Sequence, residues 1–263
     1  MVGSFLLWRI KVNEELIENQ ELTEKVHPIV GFWEIIMQPY ELGRKIIPRW
    51  FQIVAIAVLL ETFCMTTGMY LVSKSDGVKS EMAAMNSNII KRLEKNPQIT
   101  DEQLEEMKEQ FDSNFEFKLL STVGVSLIYS LFGIFVVGAF FFFVARLFVE
   151  QPSPYPNIMG LTAFGAAISG LGVLVSTMIQ FLTDTTVFGL TLSFVVDPAE
   201  HPAWFSFLSR ISIFYPLYYI AIGLAVAGAS RMHKQWGYIL AIIVCTVTII
   251  LWGGISAVGG LFM

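Results

Sequence analysis

One residue in this chain stands where its type could do chemistry. Glu61 lies at the centre of Phe51 to Val72, FQIVAIAVLLETFCMTTGMYLV, 22 residues in which it is the only formal charge. At ~1.5 Å rise per residue that stretch reaches roughly 33 Å, enough to cross a hydrocarbon core of about 30 Å. A carboxyl near the bilayer midplane costs ~2.5–3.5 kcal/mol on insertion scales, so it must face the interior of a helix bundle or water. Two chemistries follow. It is a proton or cation site, as in a transporter or channel component, or it is a polar contact that fixes helix packing. Ser126, Tyr129 and Tyr218 carry hydroxyls that are candidate partners. No second acid and no base stands at similar depth, and a proton relay normally needs more than one station, so the structural role is the expected one.

The other chemistry-bearing residues are isolated. His27, His201 and His233 have no second ligand at metal spacing. DPAEH, with Asp197, Glu200 and His201, reads as a surface turn, and Cys64 and Cys245 sit inside apolar runs as ordinary buried thiols. There is no Walker loop, dinucleotide glycine pattern, serine elbow or pair of intramembrane acids. The sequence therefore predicts no enzyme, no cofactor and no metal, and a net charge of −5 offers no basic footprint for nucleic acid.

The elements that must hold Glu61 are apolar helices. The chain has 263 residues, 54% hydrophobic and 15% charged, against roughly 25% charged in a soluble domain. Charge is clustered. Residues 1–50 hold six Lys/Arg and seven acids, residues 73–118 hold seven and ten, and only four Lys/Arg follow residue 118. The predicted fold is all-α: a polytopic membrane bundle of five transmembrane helices over about 51–72, 119–145, 158–182, 211–230 and 237–260. Residues 1–50 are expected to form a cytosolic segment. Its Phe32, Ile35 and Ile36, then Leu42, Ile46 and Ile47, lie opposite Arg44, Lys45 and Arg49, as in an interfacial amphipathic helix. Residues 51–263 form the membrane domain.

Residues 73–118 read as an extracytoplasmic helical hairpin broken at Asn96-Pro97. Thr100 and Gln103 resemble a capping box, and Leu104, Met107, Phe111 and Phe115 form one stripe, a candidate partner surface. Small residues four apart, Gly165/Ser169, Ala166/Gly170 and Gly223/Ala227, with Gly253/Ala257 and Ser256/Gly260, mark candidate packing faces. Arg44–Arg49, Arg146–Asn157 and Arg231–Trp236 together hold six Lys/Arg, while Thr183–Ser209 holds none. That asymmetry predicts a cell-membrane protein with a cytosolic N-terminus and an extracytoplasmic C-terminus.

The last two spans, ISIFYPLYYIAIGLAVAGASRMHKQWGYILAIIVCTVTIILWGG, resemble the end of the membrane domain of the YIP family (Ypt/Rab-interacting protein), prokaryotic type. The resemblance rests on the aromatic-rich entry Phe214 to Tyr219, on Ile222-Gly223-Leu224, and on a small–basic hinge from Ser230 to Lys234. Pro39 to Pro48 is similar to the family's interfacial lead-in. In topology the likeness spans about residues 32–260; the hairpin at 73–118 is longer than the family's. It implies five membrane helices, no catalysis and no catalytic residues to transfer. Eukaryotic relatives act in vesicle trafficking with small GTPases, and some prokaryotic relatives resemble accessory subunits beside ATP-binding-cassette exporters. The expected partners are thus the lipid bilayer and other membrane proteins, either exporter subunits or further copies of this chain.

Overall fold

The computed structural model describes residues 25–45, 47, 49–94, 100, 102, 104–106, 108, 119–186, 190–196, 204, 208 and 211–262. Among them all regular elements are helical. They are α1 (Pro28–Met37), α2 (Pro39–Gly43), α3 (Trp50–Val72), α4 (Asp76–Leu93), α5 (Leu119–Phe148), α6 (Tyr155–Thr183), α7 (Phe214–Ala229) and α8 (Lys234–Phe262), with a short 3-10 turn at Leu192–Val195.

Local chemistry sets several boundaries. Pro28 and Pro39 each open a helix, where a missing N–H costs nothing, and Pro39 also ends α1 behind it. Ser75 caps α4 by accepting the Val78 N–H at 3.2 Å. The last turns of α6 and α7 close in the same way. Asp184 (φ 53°) and Arg231 (φ 53°) take the left-handed conformation just past each helix. The next N–H then reaches back, Thr185 to the Gln180 carbonyl at 3.2 Å and Met232 to the Ala227 carbonyl at 2.8 Å.

Four helices, Trp50–Val72, Leu119–Phe148, Tyr155–Thr183 and α8 over Lys234–Leu251, are long and apolar enough to cross a membrane. The fourth expected span, 211–230, is α7, a helix of 16 residues. Large apolar side chains are exposed along the long helices, among them Leu59 and Phe63 on α3 and Val125, Ile128 and Phe132 on α5. Such a surface suits lipid and not water.

The chain divides into two compact units. Unit 1 comprises residues up to Ile56, Ile134–Gly165 and Tyr218–Val244; unit 2 comprises Ala57–Gly133, Ala166–Leu217 and the residues from Cys245. The interiors differ in kind. The twelve largest fully buried side chains among the described residues, Phe141, Phe164 and Tyr219 included, all belong to unit 1. Its buried hydroxyls are paired: Ser230 Oγ accepts the Ser153 N–H, Ser153 Oγ accepts from Asn157, and Thr162 donates to the Ile158 carbonyl. Glu61, Thr62, Ser75, Ser126, Ser130 and Thr248 are the buried polar residues described in unit 2. Chemistry is therefore to be sought in unit 2.

Unit 1 is fastened through backbone. A side chain on Gly43 would run into the Ala225 carbonyl, with Ala229 N at 2.9 Å; one on Gly228 would run into the Tyr40 carbonyl. Tyr40 donates its hydroxyl to the Met232 carbonyl at 2.8 Å. Burial pushes the Tyr40 hydroxyl pKa up, so it stays a donor at neutral pH; nearby Arg44 opposes the shift and Glu41 adds to it. Lys45 pairs with Glu34 at 2.8 Å. These contacts hold α2 against α7, and the Lys45–Glu34 pair ties α1 to the residues just after α2.

Candidate intramembrane polar site

Ala57, Glu61, Cys64 and Gly68 recur at spacings of four, three and four, so they share one face of α3, and all four are buried. That face meets α6. A Cβ added to Gly170 would stand 3.2 Å from Glu61 Cα, and one added to Gly68 would stand 2.5 Å from Thr177 Oγ1. Just past both helices Ser75 donates to Asp184 Oδ1 at 2.5 Å. Each pair lies 109 residues apart in sequence, and successive pairs advance by seven on both chains. The two helices thus run parallel, in a seven-residue register like that of a left-handed helix pair. The seam is built from Gly, Cys, Thr and Glu in place of large apolar knobs, which lets the backbones approach closely.

The close approach at Gly170 brings its neighbour Ser169 to the Glu61 carboxyl, and α5 adds Ser130 from another side. Glu61 is 5% exposed and Ser130 1%. Both serine hydroxyls are turned toward that carboxyl, whereas Thr62 Oγ1 and Thr66 Oγ1 on α3 are buried without a hydrogen-bond partner. None of the ion pairs among the described residues involves Glu61. The result is an uncompensated carboxyl faced by two hydroxyls from two other helices. Ser126, one turn before Ser130, is buried on the same face of α5, Tyr129 is exposed, and Tyr218 belongs to unit 1, its ring 4.9 Å from that of Tyr219.

The remaining singled-out residues fall as follows. Gly165 packs on Ile222, whose Cγ1 would stand 2.6 Å from an added Cβ, and Gly223 packs on the Gly237 carbonyl and on Ala241. Ala227 is fully buried. Leu104 is half-buried, with its N–H on the Thr100 carbonyl at 3.0 Å. Met107, Phe111, Phe115 and Gln103 lie outside the described residues, as do the side chains of Gly253, Ala257, Ser256 and Gly260. No cluster of three or more His, Cys, Asp or Glu suited to a metal occurs among the described residues.

A second polar constellation escaped the sequence reading. Asp184 Oδ1 accepts from Ser75 and from the Gly77 N–H at 2.9 Å. Glu81 accepts from the Thr185 hydroxyl at 2.5 Å, the Thr186 N–H at 2.7 Å and the Thr186 hydroxyl at 2.6 Å. Two carboxylates thereby clasp the start of α4 to the turn after α6. Burial works to raise the Glu81 pKa and so does Asp184, but the three donated hydrogen bonds prevail and hold it below its ordinary value. The Ser75 and Gly77 donors lower that of Asp184.

A family model, the Yip1 domain, matches residues 33–255. The chain belongs to the Yip1 domain family. No curated protein and no solved structure matches the chain. The Yip1 match runs from the exposed Trp33 of α1 well into α8, so both polar constellations lie within the family's domain. Yip1 proteins are membrane proteins not known for catalysis.

Proposed function

We propose that this Yip1 protein is a non-enzymatic membrane scaffold or accessory subunit of an export or membrane-trafficking assembly. α7 would be the fourth of five spans, with the N-terminus cytosolic. The observation that carries this reading is the backbone-level fastening of α2 onto α7, with α1 packed through Gly31 and Phe32 on Phe164 of α6, which makes these two helices a fixed part of unit 1. The outward face of α1, with Ile29 75% and Trp33 62% exposed, is left available for the interfacial zone of the bilayer. Lys25, Arg49, Arg146, Arg231 and Lys234 are exposed in the same unit, as the cytosolic side of a membrane protein requires. The hairpin after α3, anchored by the clasp, would be the extracytoplasmic contact surface. An ATP-binding-cassette exporter subunit is the partner the family resemblance points to; a second copy of the chain is the other.

A second reading, a transporter or channel component working through Glu61, is favoured by one observation: polar groups from α3, α5 and α6 converge on that carboxyl.

Purification of the full chain from its own membrane in mild detergent tests the first reading. A stoichiometric membrane-protein partner is expected, retained in Glu61→Gln and lost when Glu81→Ala loosens the anchor of the hairpin. Recovery of the chain alone, monomeric, at native expression would contradict it.

A further inference from the structure

Three connections of unit 1 are locked into one platform. The Ser153 N–H donates to Ser230 Oγ at 3.1 Å, joining the α5–α6 turn to the α7–α8 turn. The Tyr40 hydroxyl, on the Met232 carbonyl, joins α2 to the same turn. Phe148 and Trp236, ring centroids 4.8 Å apart, join the end of α5 to the start of α8. A Cβ on Gly160 would stand 2.9 Å from Ile47 Cγ2 and 3.5 Å from Trp50 Cβ, which sets the intervening Arg49 beside the first turns of α6.

That platform is basic in an acidic chain. The described residues of unit 1 hold seven Lys/Arg and three acids, in a chain of net charge −5. Arg49, Arg146, Arg231 and Lys234 stand on the platform, all exposed, and no ion pair among the described residues takes any of them. Of the acids, Glu34 is paired with Lys45 and Glu41 with Arg44, which leaves Glu150. Two of the cations occupy backbone that does not suit them. Arg49 (φ 57°) and Arg231 (φ 53°) are left-handed, the conformation that glycine takes at least cost. Glycine would close α7 as well as Arg231 does, so the chain keeps a guanidinium there against local preference.

What the cations meet follows from α1. Its exposed Trp33, Ile36 and Met37 lead directly into α2, so an apolar face adjoins the charge. A free anion would use only the charge. A phospholipid uses both, its acyl chains against the apolar face and its phosphate on the guanidinium forks.

We propose that this platform binds anionic phospholipid, with Arg49 and Arg231 on the phosphate and Arg146 and Lys234 adding to the field. The inference deepens the reading of α1 as an interfacial helix and rests on it. It needs no protein partner, so it and the partner experiment above fail separately.

The test titrates the purified full-length chain, in neutral detergent at low salt, with phosphatidylglycerol or with phosphatidylcholine of the same acyl chains. Phosphatidylglycerol at tenfold above its dissociation constant should raise apparent Tm by about 3–6 °C, and phosphatidylcholine should not. One Lys or Arg near an anionic surface is worth about fivefold in binding. Arg231→Gly should therefore weaken the phosphatidylglycerol response about fivefold, and Arg49→Gly with Arg231→Gly about 25-fold. Both variants should melt no lower than the parent chain without lipid, because glycine suits their backbone. Lys91→Ala, an exposed cation of unit 2, should change nothing. Should the glycine pair not fold, Arg146→Ala with Lys234→Ala decides. Equal stabilisation by phosphatidylcholine overturns the proposal, as does an undiminished phosphatidylglycerol response in the glycine pair. An equal rise with inorganic phosphate overturns it as well, since the platform is then a site for free anions. So does a flat lipid titration accompanied by loss of a co-purifying protein from the glycine pair, since the platform then docks an acidic protein.

Discussion

Gly228→Val should cost this protein about 3 kcal/mol or more. Overpacking a filled core typically costs about 1–3 kcal/mol, and the upper end applies where the obstacle is backbone. Here the added Cβ meets the Tyr40 carbonyl, with Tyr40 C at 3.1 Å and Arg44 N at 3.5 Å, none of it the free end of a flexible side chain. α2 must then move off α7, and the Tyr40 hydrogen bond to Met232 goes with it. Gly43→Val should act alike from the other side, against Ala225 and Ala229. Gly124→Val is the control, because nothing lies within 4 Å of its Cβ position. Thermal unfolding in detergent, followed by monodisperse elution on size exclusion, measures all three. Equal melting of Gly228→Val and Gly124→Val would show that α2 is not held by α7.

Opening the clasp between α4 and the end of α6 should give the next largest effect. Glu81→Ala removes three hydrogen bonds to a charged acceptor. Each is worth about 1.5–3 kcal/mol when enclosed, and partial exposure reduces the sum to about 1–2 kcal/mol. The loss is local, so hydrogen exchange should accelerate over residues 75–86 while α7 is unaffected. Gly77→Ala should match it, because its side chain would run into the Asp184 carbonyl. Both carboxylates have folded pKa values below their unfolded ones, near 4.3 for Glu and 3.9 for Asp. Their contribution is therefore complete above those unfolded values. It disappears as pH falls through the lower folded ones, so protection of residues 75–86 should be flat from pH 5 to 8 and fall below about pH 4. An inflection between pH 6 and 7 would mean that some other group holds this junction.

The spans were legible because an uncharged run of membrane length has few other readings. Phe51 to Val72 became Trp50–Val72, and 158–182 became Tyr155–Thr183. The pairing of those helices was not legible. The α3–α6 seam uses Gly68, Gly170 and Thr177, which carry no apolar signature, and the seven-residue register shows only once both helices are placed side by side. Glu61 announced itself by its cost in lipid; its partners did not. Ser126 and Ser130 share one face of α5, and sequence cannot resolve depth to a single turn of about 5.4 Å. Asp184 and Glu81 look like ordinary turn and helix-surface acids in sequence. Their clasp depends on a left-handed residue after α6 and a glycine in α4, a conjunction formed 107 residues apart at Gly77 and Asp184.

The most direct test of the scaffold reading is a paired measurement on Glu61→Gln and Glu61→Leu, detergent stability and cellular phenotype. Glutamine keeps shape and hydrogen bonding, and the account predicts a stable, fully functional chain. Leucine removes the polar contact and should cost about 1–2 kcal/mol at most, since intramembrane hydrogen bonds average less than that. A Glu61→Gln chain that folds normally but is inactive would contradict the scaffold reading and make Glu61 the working site of a transporter.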